Sequence, residues 1–600
     1  PLTKSGSGQL IIGDLAPGTG DNAYNGITYV TNGQVQIRNT NALGSISSKT
    51  VVVEPGNVAA GGGLVGSIAE PFDLSGYGNG NGALQAQDGG TTVTYTGNLN
   101  LVADAGVGSV SGVPFTIGGT ISGAGRLVKV SGNTVTLLST NNYLGATTIS
   151  NGTLQLGNGT INDTLAGDID IANGTLAVLP ATNTTTVLPG AIHGAGQLLI
   201  NNNGGIVSLT GSNDWTGTVN VNAGALWINN SNALGFGPKT VQLANGTGGQ
   251  PSLHLNATNG SITLPPDFTM NVSSVNGIVF NEAGSNTVLS TISMTGGGGD
   301  SLFVSKNGTL NLGGTIGAVV SNRGLLLGGA GNGIVSGPVV DSLGAAPRGL
   351  YVQGSGTWTV TSTNTTVGTA NVSSGRLFIN GEWASTAYAQ SGGTLGGSGI
   401  VQGNVAVLSG GTLSPGPDDI GTFTINNSFT NSGNLFIEVN KSLAQSNDFV
   451  VVAGVLTNTA AGTVTVSNLN YLAPLVAGDS FTLFSQAVSN GAALHIVGGG
   501  SSVTWTNRLA LDGSIAVLSV TPPVTVNTNT FAITTVFTST SIQLSWPPDR
   551  LGWTLQSQTN LLNAGLGTNW LPWSGSSAVT NVTIPINPAK PTVFFRMVYP

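Results

Sequence analysis

The sequence predicts an all-β protein, in which a long parallel β-solenoid is followed by a small antiparallel β-sandwich. Three observations lead to this prediction. Apolar and polar residues alternate with period two in short runs, which is typical of half-buried β-strands. One of these runs occurs four times along the chain. Turns rich in Gly and Asn come every few residues, and no stretch shows the 3.6-residue period of a helix.

The recurring unit has fixed glycine and aliphatic positions. It is clearest at 143–156 (YLGATTISNGTLQL), and it returns at 24–37, 215–228 and 366–379. The third and tenth positions are Gly in every copy, and the twelfth and fourteenth are aliphatic. Such a repeat predicts coils of roughly 20 to 25 residues stacked ~4.8 Å apart, in a rod on the order of 100 Å long. Asn and Thr at the corners are expected to form hydrogen-bonded ladders.

Changes in composition divide the chain into three parts. We predict a solenoid over residues 1–520, a linker at 521–530 and a sandwich over 531–600. The linker reads TPPVTVNTNT, which is rich in Pro, Thr and Asn. The last part contains four of the nine tryptophans and short alternating runs, which are typical of a small sandwich.

Composition excludes several classes of function. The chain has 600 residues, of which 6% are charged, and its net charge is −8 with scattered basic residues, which argues against a nucleic-acid surface. It has no Cys, which excludes disulfides and thiolate metal sites. No apolar run approaches the roughly 20 residues of a membrane-spanning helix. Because the chain starts at Pro1 rather than Met, we expect a mature exported chain whose signal peptide has been removed.

Few residues suggest catalysis. His193, His254 and His495 are far apart in the sequence, and we expect them to have structural roles. Asp418 and Asp419 form an adjacent acid pair of the kind that polysaccharide hydrolases use, but the pair follows Pro-Gly-Pro in a turn with no His or Arg next to it. A local ion-pair set is expected of Glu438, Lys441 and Asp448. We therefore predict no catalytic site, no metal site and no cofactor.

A second signature lies in the last part of the solenoid. Residues 392–399 (GGTLGGSG) are followed by VLSGGTLSPG at 407–416, IGTFTI at 420–425 and SNDFVVV at 446–452. This run resembles the C-terminal end of autotransporter passenger domains, and the recurring unit resembles the autotransporter-associated β-strand repeat. The resemblance implies a right-handed β-helix that is secreted, extracellular or held at the bacterial cell surface.

A weaker resemblance covers the C-terminal part. LSWPP at 544–548, LQSQTNL at 555–561 and TVFFRM at 592–597 are similar to fibronectin-III-like modules of secreted bacterial proteins. Trp553, Trp570 and Trp573 of this part are open to two interpretations. They either pack in the sandwich core or form an aromatic platform for sugar rings.

Two functions from different classes remain. The first is a non-enzymatic structural protein, in which the solenoid is the subunit of a surface fibre or filament that assembles head-to-tail and has an adhesive role. This hypothesis follows from a first coil that starts without an evident cap. The alternative is a polysaccharide-binding or polysaccharide-degrading β-helix protein with surface glycans as partners. The head-to-tail interface is predicted to contain Leu2, Leu10, Ile11, Trp553, Trp570 and Trp573.

Overall fold

The computed structural model describes most of the chain and confirms the all-β prediction. The described residues are 1–13, 22–64, 66–88, 92–243, 250–258, 260–273, 277–296, 299–416, 418–500, 502–520, 529–561, 565–588, 590 and 592–599. The chain divides into two compact units. The first consists of Pro1–Pro474, Ser480–Val497 and Thr506–Ala516, and the second consists of Leu475–Asp479, Gly498–Trp505 and Val517–Pro600. Residues 521–528 of the predicted linker lie outside the described residues, and the predicted boundary at 520 stays a prediction.

The first unit is a parallel β-solenoid of about 19 turns. Its first sheet has 14 strands and runs through the early coils. These strands are Leu2–Lys4, Gln9–Ile12, Thr28–Val30, Gln34–Ile37, Thr50–Val52, Asn57–Ala60, Phe72–Gly76, Leu84–Ala86, Leu99–Ser109, Ile121–Gly123, Leu127–Val130, Thr147–Ile149, Ile169–Ile171 and Ile192–Gly194.

A second sheet runs along most of the solenoid. Its strands are Ser67–Ile68, Val93–Tyr95, Phe115–Ile117, Thr134–Leu137, Thr153–Leu156, Thr175–Val178, Thr185–Leu188, Gln197–Leu209, Val219–Ile228, Lys239–Leu243, Ser252–Asn256, Phe268–Ser273, Ile278–Ala283, Thr291–Thr295, Asp300–Ser305, Ile316–Ala318, Gly324–Gly328, Val339–Val340, Gly349–Val352, Thr369–Val372, Ala387–Ala389, Val405–Val407, Phe429–Asn431 and Leu456–Asn458.

Two further parallel sheets complete the later coils. One has 11 strands: Thr263–Leu264, Ser285–Val288, Thr309–Leu312, Asn332–Val335, Thr357–Val360, Gly375–Ile379, Gly393–Gly397, Thr412–Pro415, Asn434–Val439, Thr463–Asn468 and His495–Gly498. The other has five: Thr363–Asn364, Glu382–Trp383, Ile400–Val401, Thr422–Ile425 and Phe449–Val452. Three more strands follow at Ser480–Thr482, Val503–Arg508 and Ser514–Val520.

Aliphatic columns fill the inside of the solenoid. Phe115, Val135, Leu154, Leu176 and Leu198 occupy one register position in five successive coils, and all are buried. Alternate residues of each strand point outward, which explains the period-two pattern of the sequence. The step from Leu154 to Leu176 is one coil, in agreement with the predicted coil length.

The glycine at the tenth position of the repeat follows from the backbone conformation at the corners of the coils. The tenth position has a positive φ in all four copies, at Gly33 (69°), Gly152 (67°), Gly224 (84°) and Gly375 (71°). Glycine adopts this left-handed conformation without steric cost, whereas residues with a Cβ atom rarely do. A Cβ atom at Gly152 would also lie 2.5 Å from the carbonyl oxygen of Ser131 in the preceding coil.

The second unit contains two three-stranded antiparallel sheets. Thr534–Phe537, Ser541–Ser545 and Asn581–Pro585 form one, and Leu571–Pro572, Thr554–Thr559 and Val593–Val598 form the other. Its buried core consists of Leu544, Trp546, Leu555 and Ile584. The likeness of this unit to fibronectin type III modules stays a prediction.

The short helices among the described residues of both units are the α-helical turn Leu509–Asp512 and the 3₁₀ turns Gly491–Ala493, Pro548–Arg550 and Ser576–Ala578.

Candidate ligand-binding groove

A column of amide side chains crosses the first coils of the solenoid. Gln9, Gln34 and Asn57 occupy the same register position in successive coils. Nε2 of Gln9 donates to Oε1 of Gln34 over 2.6 Å, and Nε2 of Gln34 donates to Oδ1 of Asn57 over 2.9 Å. Because parallel strands stack ~4.8 Å apart, side chains at one register position are within reach of each other. We call Gln9, Gln34 and Asn57 the amide column.

Two glutamines of the next coil extend this network. Nε2 of Gln34 also donates to Oε1 of Gln87 over 2.9 Å, and Nε2 of Gln85 donates to Oδ1 of Asn57 over 2.6 Å. Gln85 is fully buried, and its Oε1 atom has no hydrogen-bond partner among the described residues. The buried Gln85 holds Asn57 in place, so the network positions its amides before any ligand arrives.

A cavity of about 450 Å³ lies over the amide column. None of the described lining residues is charged, and five of them besides the amide column carry amides or a hydroxyl. The ammonium of Lys4 lies beside the lining, where Nζ donates to the backbone oxygen of Asn32 over 3.0 Å. The lining residues are Ser7, Gly8, Gln9, Asn32, Gly33, Gln34, Pro55, Asn57, Gly78, Asn79, Asn81, Gln87 and Val110. The groove therefore offers both donors and acceptors without a net charge.

Glycine turns bring bare backbone to the groove. Gly33 and Gly78 have φ values of 69° and 59°. A Cβ atom on Gly33 would lie 2.4 Å from the carbonyl oxygen of Gly6, and one on Gly78 would lie 2.6 Å from that of Gly82. The close approach of neighbouring backbone therefore requires glycine at these two turns of the groove wall.

A second cleft of about 720 Å³ shares one segment with the groove. Residues 76 and 77 line this cleft, and residues 78 and 79 line the groove. The ring of Tyr77 is exposed there, while the carboxylate of Glu54 accepts a hydrogen bond from the backbone N–H of Tyr77. Asp104 accepts one from the backbone N–H of Arg126 over 2.9 Å. The cleft thus adds an exposed aromatic ring beside the amides.

The residues of the predicted interface fall in both units. Leu2 and Leu10 are half-buried in the first coil, and Ile11 is 46% exposed. In the second unit, Trp573 is half-buried and packs against the core around Leu555. Cζ of the Arg596 guanidinium lies over the ring of Trp570, 4.2 Å from the centre of that ring.

Trp553 lines a separate cleft of the second unit. Its ring packs edge-to-face on Phe531 with 5.4 Å between ring centres, and it also meets Tyr599. The cleft measures about 430 Å³ and includes Arg596 and Met597. All three tryptophans are half-buried, and they differ in what they contact: Trp573 packs on the core, Trp553 lines a cleft and Trp570 stacks with Arg596.

The three histidines occupy different surroundings. His193 is exposed and pairs with Asp214, with 2.6 Å between Nδ1 and Oδ1. His495 is exposed at the start of the strand His495–Gly498. His254 is buried and lies 2.6 Å from Glu282. These three side chains are not brought together.

The acidic candidates have partners that the sequence did not reveal. Asp418 forms an ion pair with Arg376, which comes from an earlier coil. The absence of an Arg near this acid pair in the sequence was therefore misleading, because stacked coils bring distant residues together. Asp448 is buried and accepts hydrogen bonds from the backbone N–H groups of Glu438 (2.8 Å) and Gly421 (2.9 Å). Burial raises the pKa of Asp448 to about 8 despite these bonds.

The described residues contain neither a metal-binding cluster nor a membrane-spanning helix. No group of three or more His, Asp or Glu side chains there is arranged to hold a metal ion. Among those residues, too, no helix combines the length and the apolar character needed to span a membrane.

Sequence reasoning missed the amide column. The signal for it becomes visible when the coils are aligned by their buried aliphatic residues. An amide then precedes Leu10, Val35 and Val58 in three successive coils. The strand Gln9–Ile12, which contributes Gln9, lies outside the four copies of the recurring unit, so the repeat alone does not reveal the column.

Comparison with known proteins gives three results. The passenger-associated-transport-repeat family matches residues 2–37, 127–156, 199–228 and 350–377, each of which overlaps one of the four copies of the recurring unit. The adhesin BmaC autotransporter of Brucella suis biovar 1 (strain 1330) is 27% identical over 262 residues, a match that covers 37% of this chain and 7% of that protein. The chain thus matches less than a tenth of the length of this relative.

The third result is a structural similarity. The crystal structure of the Haemophilus influenzae Hap adhesin superposes with a TM-score of 0.32 at 12% identity, over 82% of this chain and 64% of that one. At that score the superposition is too loose to support an inference.

The matched segments show that the solenoid carries passenger-associated transport repeats, which are similar to those of an autotransporter adhesin. This chain is accordingly a secreted protein that is exposed at the cell surface.

Proposed function

We propose that this protein is an extracellular adhesin whose groove over the amide column binds a neutral glycan. The observation that carries the proposal is the uncharged, amide-lined cavity across successive coils. Sugar hydroxyls donate and accept hydrogen bonds at once, and carboxamides do the same, so the two match without charge. The similarity to an autotransporter adhesin supports a binding role.

The chemistry of the groove favours binding over turnover. Among the described lining residues, no side chain titrates near neutral pH, so the groove lacks a general acid or base. An anionic ligand would find no cation in the lining, and a metal ion would find no carboxylate. A ligand held by amides is bound and released unchanged.

The test is adhesion of beads that carry the full chain to surfaces coated with neutral or anionic polysaccharides. We expect retention on a neutral polysaccharide, and at least a tenfold loss for the double variant Gln34→Ala, Gln87→Ala. Gln155→Ala is the matched control, because Gln155 is an outward amide of a later repeat and bonds only locally to Gly157. Equal retention of the double variant and the wild type would refute the proposal.

Head-to-tail assembly is a second candidate function. Within the described residues, Leu2–Lys4 and Gln9–Ile12 each pair with a strand of the following coil on one side. Main-chain hydrogen bonds can join a strand of one subunit to a sheet edge of another. Ile11, which is exposed on this edge, would face the added strand of a neighbouring subunit.

Sedimentation velocity over a wide concentration range tests this second candidate. Self-association would appear as a sedimentation coefficient that rises with concentration and is reduced by Ile11→Lys. A single monomeric species at every concentration would contradict head-to-tail assembly and leave the adhesive proposal untouched.

A further inference from the structure

A second cluster of polar side chains lies in a later coil, on the strand Ser252–Asn256. Ser252 and His254 are two residues apart and share one face of this strand. Oγ of Ser252 lies 2.9 Å from Nε2 of His254, and Nδ1 of His254 lies 2.6 Å from Oε1 of Glu282 in the next coil. A hydroxyl, an imidazole and a carboxylate are thus connected in series.

The hydrogen bonds define the protonation of this series. A carboxylate can only accept, so Nδ1 of His254 carries the proton that it shares with Glu282. The lone pair of Nε2 then faces the hydroxyl of Ser252 at 2.9 Å, nearer than the backbone oxygen of Gly224 at 3.5 Å, so the hydroxyl donates to Nε2. Burial lowers the pKa of His254, and the bond to Glu282 offsets this only in part, so the imidazole is neutral at neutral pH.

The carboxylate stays ionised in this position. Partial burial opposes the ionisation of Glu282, but the hydrogen bonds from Lys306 and His254 outweigh it and hold the pKa of Glu282 below its usual value. Nζ of Lys306 lies 2.7 Å from Oε1 of Glu282. A charged carboxylate stabilises the imidazolium that forms when His254 accepts a proton.

Two aromatic rings fix the orientation of the imidazole. Trp227, His254 and Phe280 occupy one register position in three successive coils. The His254 ring is stacked 4.8 Å from Trp227 at an angle of 8°, and 4.6 Å from Phe280 at 28°. The indole N–H of Trp227 is buried without a hydrogen-bond partner among the described residues, which leaves a donor unused beside the imidazole.

We propose that Ser252 is a nucleophile activated by His254 and Glu282, and that it accepts the acyl group of small uncharged esters. The arrangement meets the geometric criterion for an activated nucleophile, in which a base within hydrogen-bond distance is itself oriented by a third group. Apolar surroundings favour an uncharged substrate, since Trp227, Phe280 and the half-buried Ile278 flank the hydroxyl and imidazole.

The reaction balances without any further cofactor. Oγ of Ser252 bonds to the carbonyl carbon of the ester while its proton moves to Nε2 of His254. The C–O bond to the alcohol then breaks, and the departing alkoxide takes the proton from the imidazolium, which leaves an acyl-Ser252. Water attacks this ester in the same way and releases a carboxylic acid, with the proton returned to Ser252.

The experiment is acylation of the full chain with p-nitrophenyl acetate, followed by peptide mapping by mass spectrometry. We expect an acetyl adduct on Ser252, absent in Ser252→Ala and formed at least 100-fold more slowly in His254→Gln. Ser208→Ala is the matched control, because Ser208 precedes Trp227 in the same outward column and should leave labelling unchanged. Far-UV circular dichroism of each variant verifies the fold.

The pH dependence of labelling distinguishes activation of Ser252 by His254 from non-specific acylation. The labelling rate should fall as His254 becomes protonated below its lowered pKa, with Glu282 and Lys306 as the charged groups that face it. The proposal is overturned if the folded wild type gives no Ser252 adduct, or if His254→Gln labels as fast as the wild type. In either outcome the cluster only satisfies buried polar groups.

Discussion

Nδ2 of Asn431 donates a hydrogen bond to Oδ1 of Asn458 over 2.9 Å, and both side chains are buried at the same register position in adjacent coils. Nδ2 of Asn458 in turn donates to the carbonyl oxygen of Ala460 over 2.7 Å. This ladder confirms the prediction that Asn at the corners satisfies buried polar groups. It also explains how a chain with 6% charged residues holds its polar groups inside.

Removal of one rung of this ladder should destabilise the solenoid. Asn458→Ala removes the acceptor of one N–H of the Asn431 amide, whose nitrogen keeps only its bond to the backbone oxygen of Gly433. A buried N–H without a partner costs about 1–3 kcal/mol. The loss should appear as a lower urea midpoint in circular dichroism. Asn426→Ala is the control, because Asn426 is exposed and should change the midpoint little. Equal midpoints of Asn458→Ala and the wild type would contradict the role of the ladder.

Gly152 of the repeat and Gly132 of the preceding coil should differ sharply in their tolerance of alanine. At Gly152 a Cβ atom would meet the carbonyl oxygens of Ser131 at 2.5 Å and Asn133 at 2.7 Å, at a φ of 67°. Gly132 has nothing within 4 Å of such an atom. We expect Gly152→Ala to lower the thermal midpoint, with a cost of about 1–3 kcal/mol, and Gly132→Ala to have almost no effect. Similar midpoints for the two variants would argue against this explanation of the repeat.

Asp163 should make the stability of the solenoid depend on pH. Burial raises the pKa of Asp163 to about 7, although bonds from Thr164 and Asn141 oppose the shift. Since the pKa in the unfolded chain is about 3.9, the folded state binds the proton more tightly. The contribution of this group to the free energy of unfolding is therefore complete below about pH 4 and is lost as the pH rises to about 7.

Asp163→Asn removes this titration and keeps an oxygen that accepts hydrogen bonds. We expect the variant to be more stable than the wild type at pH 8, by on the order of 1–2 kcal/mol, and to match it near pH 4. Urea unfolding at both pH values measures the difference. A difference that is the same at pH 4 and pH 8 would show that Asp163 does not titrate as expected.

The second unit should unfold independently of the solenoid core. Leu555 is fully buried in its core, where Trp546 and Ile584 surround it. Leu555→Ala should cost about 2–5 kcal/mol. In calorimetry we expect one transition to shift downward while the solenoid transition keeps its temperature. A uniform shift of a single transition would indicate that the two units unfold together.

The fold could be predicted from the sequence because each coil of the solenoid repeats the same local residue pattern. Alternation predicts which residues of each strand are buried, and the tenth-position glycines identify the corners, as Gly152 shows. The residues of the sites were harder to predict, because they depend on contacts between coils. Ser252 and Glu282 are 30 positions apart, and only the register of two strands places them on either side of His254. Side-chain geometry of this kind has no signature in a single coil.

A glycan array probed with the full chain tests whether the groove over the amide column binds neutral glycans. We expect binding to a set of neutral glycans that is unchanged between low and high salt, because none of the described lining residues is charged. The absence of binding, or binding confined to anionic glycans and lost in high salt, would contradict this expectation.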